Sequence, residues 1–256
     1  MNGSRLLAAG NWKMNGLRAD LSQIEAIKAG AGASPAVDIG IFPPATLMHA
    51  AAALTQGSPI FIGGQDCHTE VSGAFTGDIS APMLKDSGAK AVITGHSERR
   101  SGHGEMSSLV RKKASAALAT GLDVIICLGE TRGEHDAGLA PSVCGRQLAE
   151  SVPEQSTPAN TIIAYEPVWA IGTGLSPSTA DIAAMHGLLH HQLSERFPDV
   201  SQRWRILYGG SVTPANADSI FESPEVDGVL VGGASLKASS FLAIIAAATA
   251  ASAQRK

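Results

Sequence analysis

Cysteine is scarce and unpaired. Cys67, Cys127 and Cys144 are the three in the chain, an odd number with no Cys-x-x-Cys among them. That pattern argues against a zinc ribbon or a disulfide framework and points to a reduced, cytoplasmic protein. Basic runs are missing too, and the net charge is −4, so the sequence carries no nucleic-acid footprint. No apolar run reaches the ~18–20 residues of a membrane-spanning helix. The most apolar tract, FLAIIAAATAASA at Phe241–Ala253, reads as a helix packed on a sheet. The opening MNGSRLLAAGNW is too short and too weakly charged for a signal peptide. Three nucleotide and hydrolase signatures do not occur. They are G-x-G-x-x-G after a strand, G-x-x-x-x-G-K-[ST], and a G-x-S-x-G elbow.

What is present is a rhythm. Short apolar runs recur at Leu6–Ala9, Val37–Phe42, Ile60–Gly63, Lys90–Thr94, Asp123–Leu128, Thr161–Tyr165, Arg205–Tyr208 and Gly228–Val231. Segments with helical spacing lie between them, such as Leu17, Leu21, Ile24 and Ile27, or Leu109, Lys113, Ala116 and Ala117. Strands alternating with helices imply βαβ units and a parallel sheet. VIICL and GVLV are apolar throughout, as strands covered on both faces must be. Eight such units in 256 residues fit an α/β, single-domain (β/α)8 barrel spanning 1–256. A core of that size buries about 70–75% of the unfolded chain's surface, so stability requires no metal or disulfide. Gly30–Gly32 follows a helix and reads as its terminating turn.

In a barrel, chemistry gathers at the C-terminal ends of the strands. The paired glycines of YGGSV and VGGAS follow the last two strands and are expected to open helices. Backbone N–H groups there would donate to a bound phosphate. Glu166 ends the sixth strand, where desolvation would raise its proton affinity and suit it to act as a general base. His96 ends the fourth, where a helix N-terminus would keep its imidazole neutral and able to donate to a carbonyl. Lys13 follows the first strand and could offset phosphate and oxyanion charge. Asn11, one pleat earlier, would point the same way. Each has a plainer alternative: tight βα turns, an ion pair, a structural histidine, a solvated lysine. His186 and His190 have zinc-compatible spacing, but HGLLH lacks the glutamate of H-E-x-x-H and reads as an exposed helix face. Glu130 reads as a supporting or helix-capping acid, and Cys127 as buried packing.

Taken in order, GNWKMN, GAFTGD, VITGHSERR, CLGET, AYEPVWAIGTG, YGGSV and GVLVGGASL resemble the signatures of the triosephosphate isomerase family, from about Ala9 to Leu236. The resemblance implies a TIM barrel that interconverts glyceraldehyde 3-phosphate and dihydroxyacetone phosphate without cofactor or metal. It implies Glu166 as the base, neutral His96 as the electrophile, and Lys13 and Asn11 as enediolate stabilisers. Glu98 would hold Asn11 and Lys13 from behind. Gly172, Ser211, Gly232 and Gly233 would supply phosphate-binding N–H groups. Pro167–Gly174 would form a lid, with Pro167 stiffening one hinge. It also implies a homodimer docked through Gly73–Asp78, with Thr76 reaching Asn11 and Glu98 of the partner subunit.

The chain departs from that pattern in two places. Leu175-Ser176-Pro177 stands where the family has a lysine followed by small or β-branched residues, and Asp66 replaces an asparagine. Two rival functions share the same groups: an isomerase for a longer, four-carbon sugar phosphate, and a catalytically silent phosphate-binding barrel. Binding to partners at a cell surface has no support in the sequence.

Overall fold

The computed structural model describes residues 5–32, 36–171, 176–223 and 225–255. Eight parallel strands close on themselves in chain order: β1 (Leu7–Asn11), β2 (Asp38–Phe42), β3 (Ile60–Gly64), β4 (Ala91–Thr94), β5 (Asp123–Leu128), β6 (Thr161–Tyr165), β7 (Arg205–Tyr208) and β8 (Gly228–Val231). Closure is made where Leu7 pairs with Gly228 and Gly10 with Val231. All eight expected strands are present. β1 is displaced toward its C-terminal end, so that Asn11 lies within the ladder, opposite Phe42.

Strand alternation explains why these runs are apolar throughout. In β5, Ile125 and Cys127 point into the barrel, while Val124, Ile126 and Leu128 face the surrounding helices. The interior interlocks large side chains with absent ones. Phe42 and Phe61 meet edge to face at 6.0 Å. A Cβ at Gly40 would stand 2.5 Å from the Phe61 ring, and one at Gly63 would stand 2.2 Å from the Phe42 ring. Close packing of this kind admits no added methyl group. At the N-terminal mouth, buried Arg205 is held by Asp38 at 2.9 Å.

The helices are α1 (Leu21–Gly30), α2 (Ala45–Thr55), α3 (Ala81–Asp86), α4 (Ser97–Gly102), α5 (Ser107–Thr120), α6 (Arg132–Asp136), α7 (Ala140–Ser151), α8 (Thr179–Arg196), α9 (Ala217–Phe221) and α10 (Ala238–Gln254). α10 carries the alanine-rich tract and buries Phe241, Ile244, Ile245 and Ala248. Among the described residues, no helix is long and apolar enough to cross a membrane. Gly32 has φ +74°, in keeping with a turn that ends α1.

Three local expectations need correction. Leu17 is 75% exposed and lies outside α1, because the Asp20 carboxylate accepts its N–H at 2.8 Å and folds the chain into a short 3-10 turn. In α5 the packed stripe is Val110, Ala114 and Ala117; Leu109 stays at the edge, and Lys113 is buried only through its ion pairs. His186 and His190 do not lie on an exposed face. The chain before β8 covers them, with His186 Nδ1 3.1 Å from the Glu225 carbonyl and His190 Nε2 3.0 Å from Asp227.

Candidate active site

Four expected polar side chains converge at one mouth of the barrel, around a cleft of ≈ 290 Å³. Asn11 is buried at the end of β1, and its Oδ1 accepts the Lys13 N–H at 3.0 Å. That bond bends the chain, and Lys13 takes φ +53°, the one positive φ outside glycine among the described residues. Gln65 secures the bend by donating to the carbonyls of Lys13 (2.9 Å) and Phe42 (2.8 Å). Lys13 Nζ then reaches Glu98 at 2.6 Å, with its stem over Gly232. Glu98 therefore contacts Lys13. No Glu98–Asn11 bond occurs among the described residues.

His96 leaves β4 as the N-cap of α4. Its Nδ1 accepts the Glu98 N–H at 3.2 Å, which places the proton of a neutral ring on Nε2. That nitrogen lies 2.9 Å from Glu166 Oε1. Glu166 Oε2 accepts the Ser97 N–H at 2.8 Å. Glu166, only 1% exposed, is thus held between an imidazole and a backbone amide.

The electrostatics differ from the sequence expectation. Burial pulls the Glu166 carboxyl upward, but His96, the Ser97 N–H and Lys13 outweigh it and hold the group below the ordinary carboxylate range. Burial likewise disfavours imidazolium at His96, yet the facing Glu166 carboxylate raises its proton affinity above the ordinary value. The Glu98 N–H opposes that rise, because it occupies the lone pair a second proton would need. Buried Cys127, beside Glu166, is pushed well up and stays a thiol.

The glycines divide their work. A Cβ at Gly129 would fall 1.7 Å from the Glu166 carbonyl oxygen, and one at Gly209 would meet Glu166 Cγ at 2.9 Å. Both leave room for Glu166, and Gly209 also lines the cleft; this seating role the sequence reading missed, and the only hint was a glycine at each strand end flanking β6. Ser211, Gly232 and Gly233 line the same cleft. The expectation that both glycine pairs open helices holds only for a one-turn 3-10 helix, Gly233–Leu236. After β7, a turn in which Thr213 N–H donates to Asn216 Oδ1 delays α9 until Ala217. Gly172, with Thr173, Gly174 and Leu175, lies outside the described residues.

Glu130 is fully buried. It accepts from Tyr165 Oη (3.1 Å), Trp169 Nε1 (2.7 Å) and Cys144 Sγ (3.5 Å). It does not cap α6, whose N-cap is Thr131 paired with Glu134. The Trp169 indole is covered by His135, stacked at 4.1 Å. These contacts tie down the turn that follows Glu166.

A larger hollow of ≈ 640 Å³ adjoins the cleft and shares Asn11, Lys13 and His96 with it. Its floor is an ion network. Lys113 Nζ lies 2.8 Å from both Asp66 oxygens and 2.6 Å from Glu105 Oε1, and Arg99 joins both acids. Burial keeps the Asp66 carboxyl above its ordinary value despite those cations. Glu105 Oε2, at this floor, is buried without a hydrogen-bond partner, and Met14, which also lines the hollow, is 97% exposed. Thr76 stands in the exposed loop Gly73–Asp78 and does not line the cleft.

The family model for triosephosphate isomerase matches residues 6–248. The chain is 57% identical to a triosephosphate isomerase of Afipia carboxidovorans, across 94% of this chain and 96% of that one. It is 55% identical to one of Rhodopseudomonas palustris, across 94% and 97%. The crystal structure of triosephosphate isomerase from Bartonella henselae superposes with a TM-score of 0.89 at 44% identity, covering 98% of this chain and 100% of that one. With a closed barrel, a Glu–His pair at its mouth and these likenesses over nearly its full length, the chain belongs to the triosephosphate isomerase family.

Proposed function

We propose that the protein interconverts D-glyceraldehyde 3-phosphate and dihydroxyacetone phosphate through an enediolate. The observation that carries this reading is the Glu166–His96 contact at 2.9 Å, beside Lys13, in a cleft rimmed by Ser211, Gly232 and Gly233. Removing a proton next to a carbonyl needs a base on one side and hydrogen-bond donors on the other. The substrate carbonyl oxygen takes over the Nε2–H of His96. The freed Glu166 carboxylate turns to the adjacent C–H, accepts its proton and returns it to the neighbouring carbon, while His96 Nε2 gives its proton to the carbonyl oxygen and takes one back from the neighbouring hydroxyl. Asn11 and the Lys13 ammonium stabilise the negative oxygen. The phosphate sits against the backbone N–H groups of Ser211, Gly232 and Gly233, with Gly172 completing the clasp. Every step is a proton transfer between side chain and substrate, and none calls on a cofactor.

The protein acts as a homodimer. The Gly73–Asp78 loop of one copy enters the 640 Å³ hollow of the other, bringing Thr76 toward Asn11 and Glu98. Exposed Phe75, Val71 and Met14 supply the apolar surface. A single domain over 1–256 is supported by a barrel closed between β1 and β8. A cytoplasmic setting is supported by three free, buried cysteines. A coupled assay of glyceraldehyde 3-phosphate conversion, repeated on Glu166→Gln, tests the assignment; equal rates would overturn it. A panel of longer sugar phosphates separates the rival isomerase, and light scattering that shows a fully active monomer overturns the dimer.

A further inference from the structure

The loop that would enter a neighbouring copy raises a physical question. Residues 70–78 are all exposed, and they include Val71 and Phe75. A segment without a core beneath it normally loses its order in the free subunit, and association must then restore it. Here one side chain replaces the missing core. The His68 ring packs on the Phe75 ring at a centroid distance of 4.1 Å. Its Nδ1 accepts the Glu70 N–H at 3.0 Å, which leaves the ring proton on Nε2, and Nε2 faces the Asp78 carboxylate at 3.5 Å. Residue 68 is also where the loop closes: its own N–H donates to the Ile79 carbonyl at 2.8 Å. The imidazole therefore touches the beginning, the tip and the end of one excursion of the chain. A Cβ at Gly73 would meet the Phe75 ring at 2.7 Å, so the backbone leaves room for that ring to fold back.

We propose that His68 is the internal strut of the docking loop, holding it in its binding shape before a second copy of this chain arrives. The inference rests on the homodimer reading and adds to it the residue that sets dimer strength. A loop shaped in advance docks as a rigid part, and its ordering entropy is not charged to the association. Phe75 is drawn toward its own subunit by the stack, so the polar tip at Thr76 and Gly77 leads into the hollow.

The test is sedimentation equilibrium over a dilution series on wild type, His68→Ala, His68→Phe and His68→Asn. Amide exchange at Glu70 and Asp78 is followed in the dilute, dissociated protein. His68→Ala should weaken the dimer by about tenfold or more, which corresponds to ~1.4 kcal/mol. It should also speed both amides without moving the thermal midpoint of the dissociated barrel. His68→Phe keeps the ring contact and His68→Asn keeps an acceptor for Glu70, so each should fall between. A wild-type dimer matched in strength and loop exchange by His68→Ala overturns the strut. A wild type that stays monomeric at every concentration overturns the homodimer reading, and the inference with it.

Discussion

Glu166 Oε1 and His96 Nε2 lie 2.9 Å apart, so the proposed base and the proposed hydrogen-bond donor are bonded to each other before any substrate arrives. The contact holds both groups in place, and it must break for either to act. The carboxylate has to swing while its backbone stays pinned by Leu128, whose carbonyl accepts the Glu166 N–H at 2.8 Å.

Reach is therefore critical. Glu166→Asp withdraws the carboxylate by one methylene from a fixed backbone. Turnover should fall by about 10²–10⁴, the range of a lost general base, with KM changed by no more than a few-fold. Steady-state kinetics decide this, and near-normal turnover removes Glu166 from the mechanism.

Lys13 pays for its position with a left-handed backbone, φ +53°. Lys13→Gly removes that strain but adds unfolded-state freedom, effects of opposite sign and about 1 kcal/mol each. The thermal midpoint should therefore move by only a few degrees while turnover falls by at least about 10², as for one lost oxyanion donor. A calorimetric scan beside the assay separates the two. A large drop in midpoint would mean that the ammonium matters to the fold.

His186 gives a pH signature unrelated to catalysis. Burial pushes its imidazole from 6.5 down to about 4, so the folded chain keeps it neutral. Between those values the unfolded chain binds a proton that the folded chain refuses. Stability must then rise with pH through that window and fall as pH drops from 6.5 toward 4, by about 3 kcal/mol in all. His186→Gln keeps a donor for the Glu225 carbonyl but does not titrate. Its denaturant midpoint should be flatter over that window, and an unchanged slope would place the proton elsewhere.

Glu130 gathers three donors from three elements, so Glu130→Gln strands at least one of them. The cost of one charge-assisted bond, about 1.5–3 kcal/mol, should lower the midpoint by roughly 5–10 °C. Trp169 loses part of its anchor, and its emission should shift as the indole moves on His135. Circular dichroism melts and tryptophan fluorescence measure both effects; an unshifted spectrum would show that the stack alone fixes the turn.

The barrel was legible in the sequence because parallel strands covered on both faces leave unbroken apolar runs. The polar residues that interrupt their C-terminal ends, Asn11, Lys13, His96 and Glu166, therefore stand out. What stayed hidden depends on partners brought together from afar. The spacing of His186 and His190 is the same on a bare helix as on one covered by Glu225 and Asp227. A strand-end carboxylate looks desolvated until the Ser97 N–H and His96 are seen to hold it as an anion. Nothing local marks Gly129 and Gly209 as seats for Glu166, because a neighbouring strand's glutamate passes within contact distance only in the closed barrel. The delay of α9 behind Thr213–Asn216 is a choice between two turn geometries that composition alone does not decide.

The seam between β1 and β8 has a consequence for biosynthesis. Asn11 and Lys13 emerge from the ribosome more than two hundred residues before Gly232 and Gly233, which complete the same cleft. Until the last strand zips onto the first, the nascent polypeptide has an open sheet with two raw edges and half a catalytic centre. Activity should switch on in one step as that gap is sealed, and a stalled or shortened product would need a chaperone's shelter while making no contribution to metabolism.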